Sequence, residues 1–485
     1  MKNIYKVSLS IFFITLFSGC EDKFIELNPL DQASVGNSFT TPDDANLAVM
    51  GVYDALQSGS YPQDMAFLTE LVTDNTMVQP TRIADAGRGD LRELEFFQFT
   101  DNNSYLQSRW SRLYLGISRA NLILSKIDQI TFPVQTLKDQ YIGEAKFLRA
   151  LFYFDLVRFF GAVPLSLTEI KSADEAFVLK RTPEAEVYQA IINDLNDAAT
   201  NLPITYASSN IGRATKGAAK ALLAKVYLTN KQPDLALPIL RELTKAPYTY
   251  RLMPTYAAAF DADNTAEAIF EIQYTSSIAG EGNPYPNFFL TNDGTAGKDI
   301  YGSTFLGNTG QGINLPTQDM FDAYEPNDAR RTYSIVKYFS KQEAADVYVI
   351  YKYRGVPTSA NNSEDNIPVL RYADVLLMLA EAINETNHNP IPEAYDAIDL
   401  VRVRAGLLPL PRTLTYESFK TKLLEERRVE LAFENHRWFD LKRFNKAEEV
   451  LSAKGYAIKP FHLLYPIPRK EVIINPENIS QNTGY

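Results

Sequence analysis

Apolar residues recur at helical spacing through most of the first half of the chain. Thr41-Pro42-Asp43-Asp44 is a helix start, with a capping hydroxyl, proline at the first helical position and acids at the positive end of the dipole. Ala45, Ala48, Val49, Val52 and Leu56 then mark one buried face. From Leu106 the apolar positions run Leu106, Trp110, Leu113, Ile117, Ala120, Leu124 and Ile127, alternating steps of four and three, which predicts one long packed helix with Trp110 in the core. Tyr141, Ala145, Leu148, Phe152, Leu156 and Phe159 predict a second, stopped by Gly161 and Pro164. A third starts at Thr182-Pro183-Glu184 and carries Val187, Ile191, Leu195 and Ala198. Residues 216–229 and 234–245 predict a helical hairpin across Asn230 to Pro233.

The pattern changes near Asn264. Phe270, Ile272 and Tyr274 alternate with Glu271 and Gln273, a strand signature. Residues 275–312 then hold eight of the 23 glycines, a composition expected to form loops without a core of their own. Helical spacing returns over 371–385 and over 391–405, the latter closed by Gly406. The densest stretch follows at 423–444, where Leu424, Val429, Leu431, Ala432 and Phe433 line one side and Glu425, Glu426, Arg427, Arg428 and Glu430 crowd the other. Glu426 and Glu430 are like charges one helical turn apart, so the intervening Arg427 and Arg428 are expected to neutralise them in a paired network. That structural reading outweighs a catalytic carboxylate pair, because ion-pair networks also concentrate charge.

Length and composition fit a large globular chain: 485 residues, 45% apolar and 22% charged. The net charge of −11 and pI near 5.1 argue against nucleic acid as a partner. Residues 1–19 have a short basic start and an apolar run from Val7 to Phe17, too short to span a bilayer, and so predict a cleaved export signal. Cys20, the single cysteine, follows at once, so no disulfide forms within the chain. Nucleophile and metal motifs fail: there is no G-x-S-x-G, and His388, His436 and His462 are scattered. Residues 294–298 (GTAGK) are too short for a phosphate loop, and the Asp261, Asp263, Thr265 series lacks the glycine and closing glutamate of a calcium loop. A glycosidase needs only two spaced carboxylates, which 59 acids leave open as a minor alternative.

The run 426–444, ERRVELAFENHRWFDLKRF, resembles the C-terminal signature of the SusD/RagB family of bacterial surface lipoproteins, with Asn435 in place of the usual glycine. Asparagine also tolerates the left-handed backbone that a helix end needs. The tail from Leu463, LLYPIPRKEVIINPENISQNTGY, is similar to the family's ending. The resemblance implies a mainly α fold, a tetratricopeptide-like helical-hairpin stack with a loop-rich, partly β insert. It implies four regions: a lipoprotein signal peptide at 1–19, a lipidated tether at 20–40 acylated on Cys20, an N-terminal helical region at 41–260, and a C-terminal region at 261–485 with variable ligand loops at 275–365. It also implies a non-enzymatic protein on the outer face of the outer membrane, anchored by lipid alone, that passes oligo- or polysaccharide to a SusC-like TonB-dependent transporter. Peptide capture, as in the wider family, is the alternative, and no cofactor is implied. Sugar rings pack on aromatic faces, so Tyr285, Asn287, Phe288, Phe289 and Tyr301, with Tyr61, Arg82 and Arg88 from an earlier loop, are the candidate ligand contacts.

Overall fold

The computed structural model describes residues 39–57, 61–85, 87–278, 280–303, 310–357 and 359–485. Cys20, the signal segment and most of the tether lie outside the described residues.

The predicted start at Thr41 is a reciprocal cap: the Asp44 carboxylate accepts from the Thr41 backbone N–H at 2.8 Å, and the Thr41 hydroxyl accepts from the Asp44 N–H at 3.2 Å. It opens α1 (Pro42–Gln57). Helix α2 (Ser104–Lys126) is capped by the Asn103 side chain and buries Leu106, Trp110, Leu113, Ile117 and Ala120 along the predicted stripe. Helix α3 (Gln135–Phe160) ends at Gly161, whose φ of +73° suits only a residue without a Cβ. From Tyr141 on, α3 is buried almost all round, which makes it the central rod of the molecule.

Next come α4 (Glu184–Asn201), α5 (Lys216–Thr229) and α6 (Pro233–Leu243). Each of these helices packs on the one before it, and α6 in turn packs on α7 (Tyr372–Asn387), which carries α8 (Pro392–Arg404) and α9 (Tyr416–Glu430). The chain is therefore a continuous stack of helical hairpins, and the stack runs past residue 260 into the second half. Between α6 and α7 the insert adds two small antiparallel sheets. Strand β1 (Ala268–Ile272) pairs with β4 (Ile367–Arg371), and β2 (Ile335–Ser340) forms a hairpin with β3 (Ala345–Ile350).

The charged face of α9 is tied inward. Arg330 donates to Asp328 at 2.9 Å, to Glu426 at 2.6 Å and to Glu430 at 3.0 Å. Arg371 donates to Glu267 at 2.8 Å, Glu430 at 2.6 Å and Glu434 at 2.7 Å. Arg402 reaches Glu426 at 2.9 Å, Arg404 reaches Glu267 at 3.0 Å and also Glu430, and Lys352 pairs with Glu434. Five buried carboxylates face these five cations, and the more exposed Glu325 also meets Arg402 at 2.7 Å, so the network fixes α9 against α8 and the insert. The expected neutralisation of Glu426 and Glu430 by Arg427 and Arg428 is corrected here. Arg427 turns to Asp374 at 2.8 Å and Asp440 at 2.9 Å, while Arg428 turns to Asp319 at 2.7 Å.

Candidate functional site

The site is best traced from the predicted residues inward. Tyr285, Phe288 and Phe289 lie on one short helical turn, Tyr285–Phe289, all buried, with Asn287 buried beside them. Tyr285 donates to the Pro62 carbonyl at 3.0 Å and its ring lies 4.6 Å from Phe289 and 5.1 Å from Tyr353. Phe288 meets the edge of Phe67 at 6.1 Å. Tyr301 donates to the Ile350 carbonyl at 3.1 Å and packs on Tyr351. Tyr61 is clamped between the Asp155 carboxylate at 3.1 Å and the Arg109 guanidinium, 4.0 Å over its ring.

Six of the eight expected contacts, Tyr61, Tyr285, Asn287, Phe288, Phe289 and Tyr301, are therefore interior residues and form no exposed platform. The reason is that the glycine-rich segment does have a core: Leu290, Ala296 and Tyr301 close on Val349 of β3, while Tyr285 and Phe289 are covered by Tyr353. Tyr61 and Tyr285 do line a cavity with Asp155, Arg158, Lys225 and His436, but its volume of about 60 Å³ is far below the roughly 300 Å³ that small-ligand pockets start from.

Arg88 is interior as well, and of the eight only Arg82 reaches the surface. Their loop is pinned to the insert by Gln79, whose buried side-chain carbonyl accepts from the Thr291 hydroxyl at 3.1 Å and the Asn292 N–H at 2.8 Å. The Gln79 N–H donates to the Gly312 carbonyl at 2.8 Å, and a Cβ at Gly312, where φ is +62°, would sit 2.4 Å from the Gln79 side chain. Further out, the Thr81 N–H donates to Glu343 at 3.1 Å, and Gln342 bridges to Asn292 at 3.3 Å. Arg88 is buried and donates to the Gln311 carbonyl at 2.6 Å, so it braces the loop rather than facing outward. Arg82 is half-buried, paired with Asp85 at 2.7 Å.

The result is a seam between residues 79–85, 87 and 88 on one side and residues 291–303 and 310–343 on the other. On its surface stand Arg82, Gln342, Thr81 and Thr295, with the half-buried Tyr338 of β2 donating to Asp299 at 3.1 Å, while the next residue, Phe339, is 60% exposed on the opposite face of the hairpin. Phe339 and Gln342 were missed in the sequence. The signal was there: apolar and aromatic runs at 335–339 and 347–350 flank the polar turn 341–344, a hairpin pattern with one outward ring.

Chemistry elsewhere is muted. Burial pushes the Glu70 carboxyl up to about 7 against the hydrogen bonds of Asn75 and the Asn435 N–H, but it lies wholly inside, on the one turn of π-helix in the Tyr61–Leu71 segment. Asn435, at φ +67°, also donates to the Tyr285 hydroxyl at 3.2 Å, so the left-handed position expected from the sequence sits where both halves of the chain meet. Asn435→Ala is expected to be less stable than Asn435→Gly by about 1 kcal/mol, because both lose that bond and only alanine strains the backbone. Denaturant unfolding of the two variants checks this; equal midpoints would remove the backbone argument. Among the described residues no group of three or more His, Cys, Asp or Glu side chains is placed to hold a metal ion, and no helix is long and apolar enough to cross a membrane.

Comparison with known proteins adds the relatives. The model described as the SusD family matches residues 338–485, and a second, described as starch-binding associating with outer membrane, matches 45–228. SusD-like protein P2 of Formosa agariphila is 30% identical, with 99% of each chain covered. Among solved structures, a laminarin binding SusD-like protein is similar at a TM-score of 0.78 and 28% identity, covering 92% of this chain and all of that one. A SusD homolog from Bacteroides thetaiotaomicron superposes with a TM-score of 0.81 at 25% identity, covering 94% of this chain and 99% of that one.

Proposed function

The chain belongs to the SusD/RagB family, and on that footing we propose that it captures a glycan at the outer surface of the cell without cleaving it. The observation that carries the reading is the likeness, over 92% of this chain, to a laminarin binding SusD-like protein. The seam and the hairpin that edges it support it physically: the rings of Tyr338 and Phe339 for the apolar face of a sugar, and a guanidinium, an amide and hydroxyls for its hydroxyl groups, held by the helical stack. In this reading residues 1–19 are removed, Cys20 is acylated and moors the protein to the outer membrane, and the captured glycan passes to a SusC-like TonB-dependent transporter. The regions 41–260 and 261–485 then share the work, both supplying helices of the scaffold, the first adding the Arg82 loop and the second the ligand loops within 275–365.

Affinity electrophoresis against a polysaccharide panel that includes laminarin tests the proposal. Retardation of the wild-type protein is expected, weakened at least several-fold by Phe339→Ala and by Arg82→Ala, with unfolding midpoints unchanged because both side chains reach solvent. Absence of retardation on every glycan, with oligopeptide found in the purified protein by mass spectrometry, would replace glycan by peptide. Release of sugar products on long incubation would overturn the non-enzymatic reading.

A further inference from the structure

Away from the seam, a groove of about 510 Å³ opens between the segment after the helix Gly89–Glu95 and the C-terminal tail. Its walls are two half-buried rings, Phe461 and Tyr485, set edge to face with centroids 5.0 Å apart at 88°. Neither ring is loose. Tyr485 is stacked on the buried Phe99 at 6.1 Å, and its hydroxyl donates to the Leu464 carbonyl at 3.0 Å. Gly484 keeps the tail close to Phe461: its φ is +105°, and a Cβ there would lie 2.4 Å from the ring.

Around these rings stand Gln98, Asp101 and Lys459. Among the described residues, Asp101 and Lys459 form no ion pair and the Gln98 amide no hydrogen bond; Gln98 and Lys459 are exposed and Asp101 half-buried, with the Lys459 ammonium 5.8 Å over the Phe461 ring, so a donor, an acceptor and a group that is both edge the rings on the solvent side. The volume falls within the roughly 300–1,000 Å³ range of small-molecule sites. The lining also discriminates among occupants. An apolar peptide or acyl chain would strip water from the carboxylate, the ammonium and the amide without replacing their hydrogen bonds. A pyranose ring places its C–H face on an aromatic side chain and its hydroxyls on polar groups around the edge, which is the combination this groove offers.

We propose that this groove is a second saccharide-binding subsite, seating a short run of pyranose rings against Phe461 and Tyr485 with Gln98, Asp101 and Lys459 on the hydroxyls. The proposal rests on the glycan-capture reading and extends it: a polymer repeats the same unit along its length, so a chain long enough to span seam and groove would bind more tightly than either site alone holds it.

The test uses the full-length protein with the double substitution Asp101→Ala/Lys459→Ala and, separately, Phe461→Leu, each compared by affinity electrophoresis in laminarin and in every other polysaccharide of the panel. On whichever polymer retards the wild-type protein, both variants are expected to raise the apparent dissociation constant about tenfold or more. The double substitution is confined to the groove rim, so its unfolding midpoint stays at the wild-type value and separates lost binding from lost folding. Wild-type retardation by the groove variants, with Phe339→Ala still weakened, would overturn the subsite and leave capture at the seam standing. No retardation of the wild-type protein by any polymer would overturn both.

Discussion

Replacing Glu430 by glutamine is expected to lower the unfolding free energy by about 3–5 kcal/mol, the usual range when one partner of a buried ion pair is removed. Glu430 accepts from Arg330 at 3.0 Å and Arg371 at 2.6 Å, and from Arg404 as well. Its side chain has no exposed surface. Glutamine keeps the shape but removes the charge, and its amide adds a donor where three guanidiniums already donate. Arg330 is then left with excess charge and no route to water, since it too is wholly buried. The exposed pair Lys422–Glu425 on the same helix supplies the control. Glu425→Gln is expected to cost about 0–1 kcal/mol, because solvent already screens that pair. Denaturant unfolding measures both, and equal losses would mean that the network is no stronger than a surface contact.

Acid adds a second reading of the same variant. Burial alone would push the Glu430 carboxyl up, but Arg404, Arg371 and Arg330 together hold it well below the usual carboxylate range. A carboxyl with a depressed folded pKa contributes stability above its unfolded value of about 4, and that contribution fades as pH falls further. The gap between wild type and Glu430→Gln is therefore expected to be widest near neutrality and to shrink below about pH 4. Asp74 and Asp440, each held at about 2 by arginines that outweigh burial, titrate in the same low window and remain in both proteins, so they cancel in the difference.

That network marks how far the sequence could be read. The like-charge step from Glu426 to Glu430 demanded cations, and a paired network followed from it. The identity of the cations did not, because Arg330, Arg371 and Arg404 come from other elements, as far as 100 residues away in the case of Arg330. Spacing along a helix reports its own neighbours only. The helices were legible for the same reason: their stripes are local, and Trp110, Leu113 and Phe152 are buried where periodicity put them. The ligand loops were not. Glycine content announced turns correctly, yet the partners that bury Phe288 and Phe289 are Phe67 and Tyr353, and pairings across such distances leave no trace in composition. Aromatic residues in a loop read as exposed until the surface that covers them is known, whereas Phe339, on a hairpin with ordinary strand alternation, was the ring left in solvent.

A close helix approach gives the second large effect. Gly116 of α2 faces Phe152 of α3, and a Cβ at 116 would lie 2.3 Å from Cε2 of that ring and 2.5 Å from Cζ. In an open helix, alanine in place of glycine would stabilise by about 1 kcal/mol. Here the sign reverses, because the overlap falls on a fully buried ring: Phe152 meets the edge of Tyr61 at 6.3 Å and 80°. Shifting it presses on Tyr61, which holds Asp155 through its hydroxyl and carries Arg109 over its ring. Gly116→Ala is accordingly expected to cost about 1–3 kcal/mol or more, as overpacked cores do. Pairing it with Phe152→Leu, which trims the ring atoms in conflict, is expected to cost less than the two single losses added together, with a coupling of about 0.5–3 kcal/mol. A neutral or stabilising Gly116→Ala in denaturant unfolding would mean that α2 and α3 part without resistance, and strict additivity would mean that the conflict lies with another neighbour. Either result would detach the rigidity of the stack from the close packing of α2 on α3.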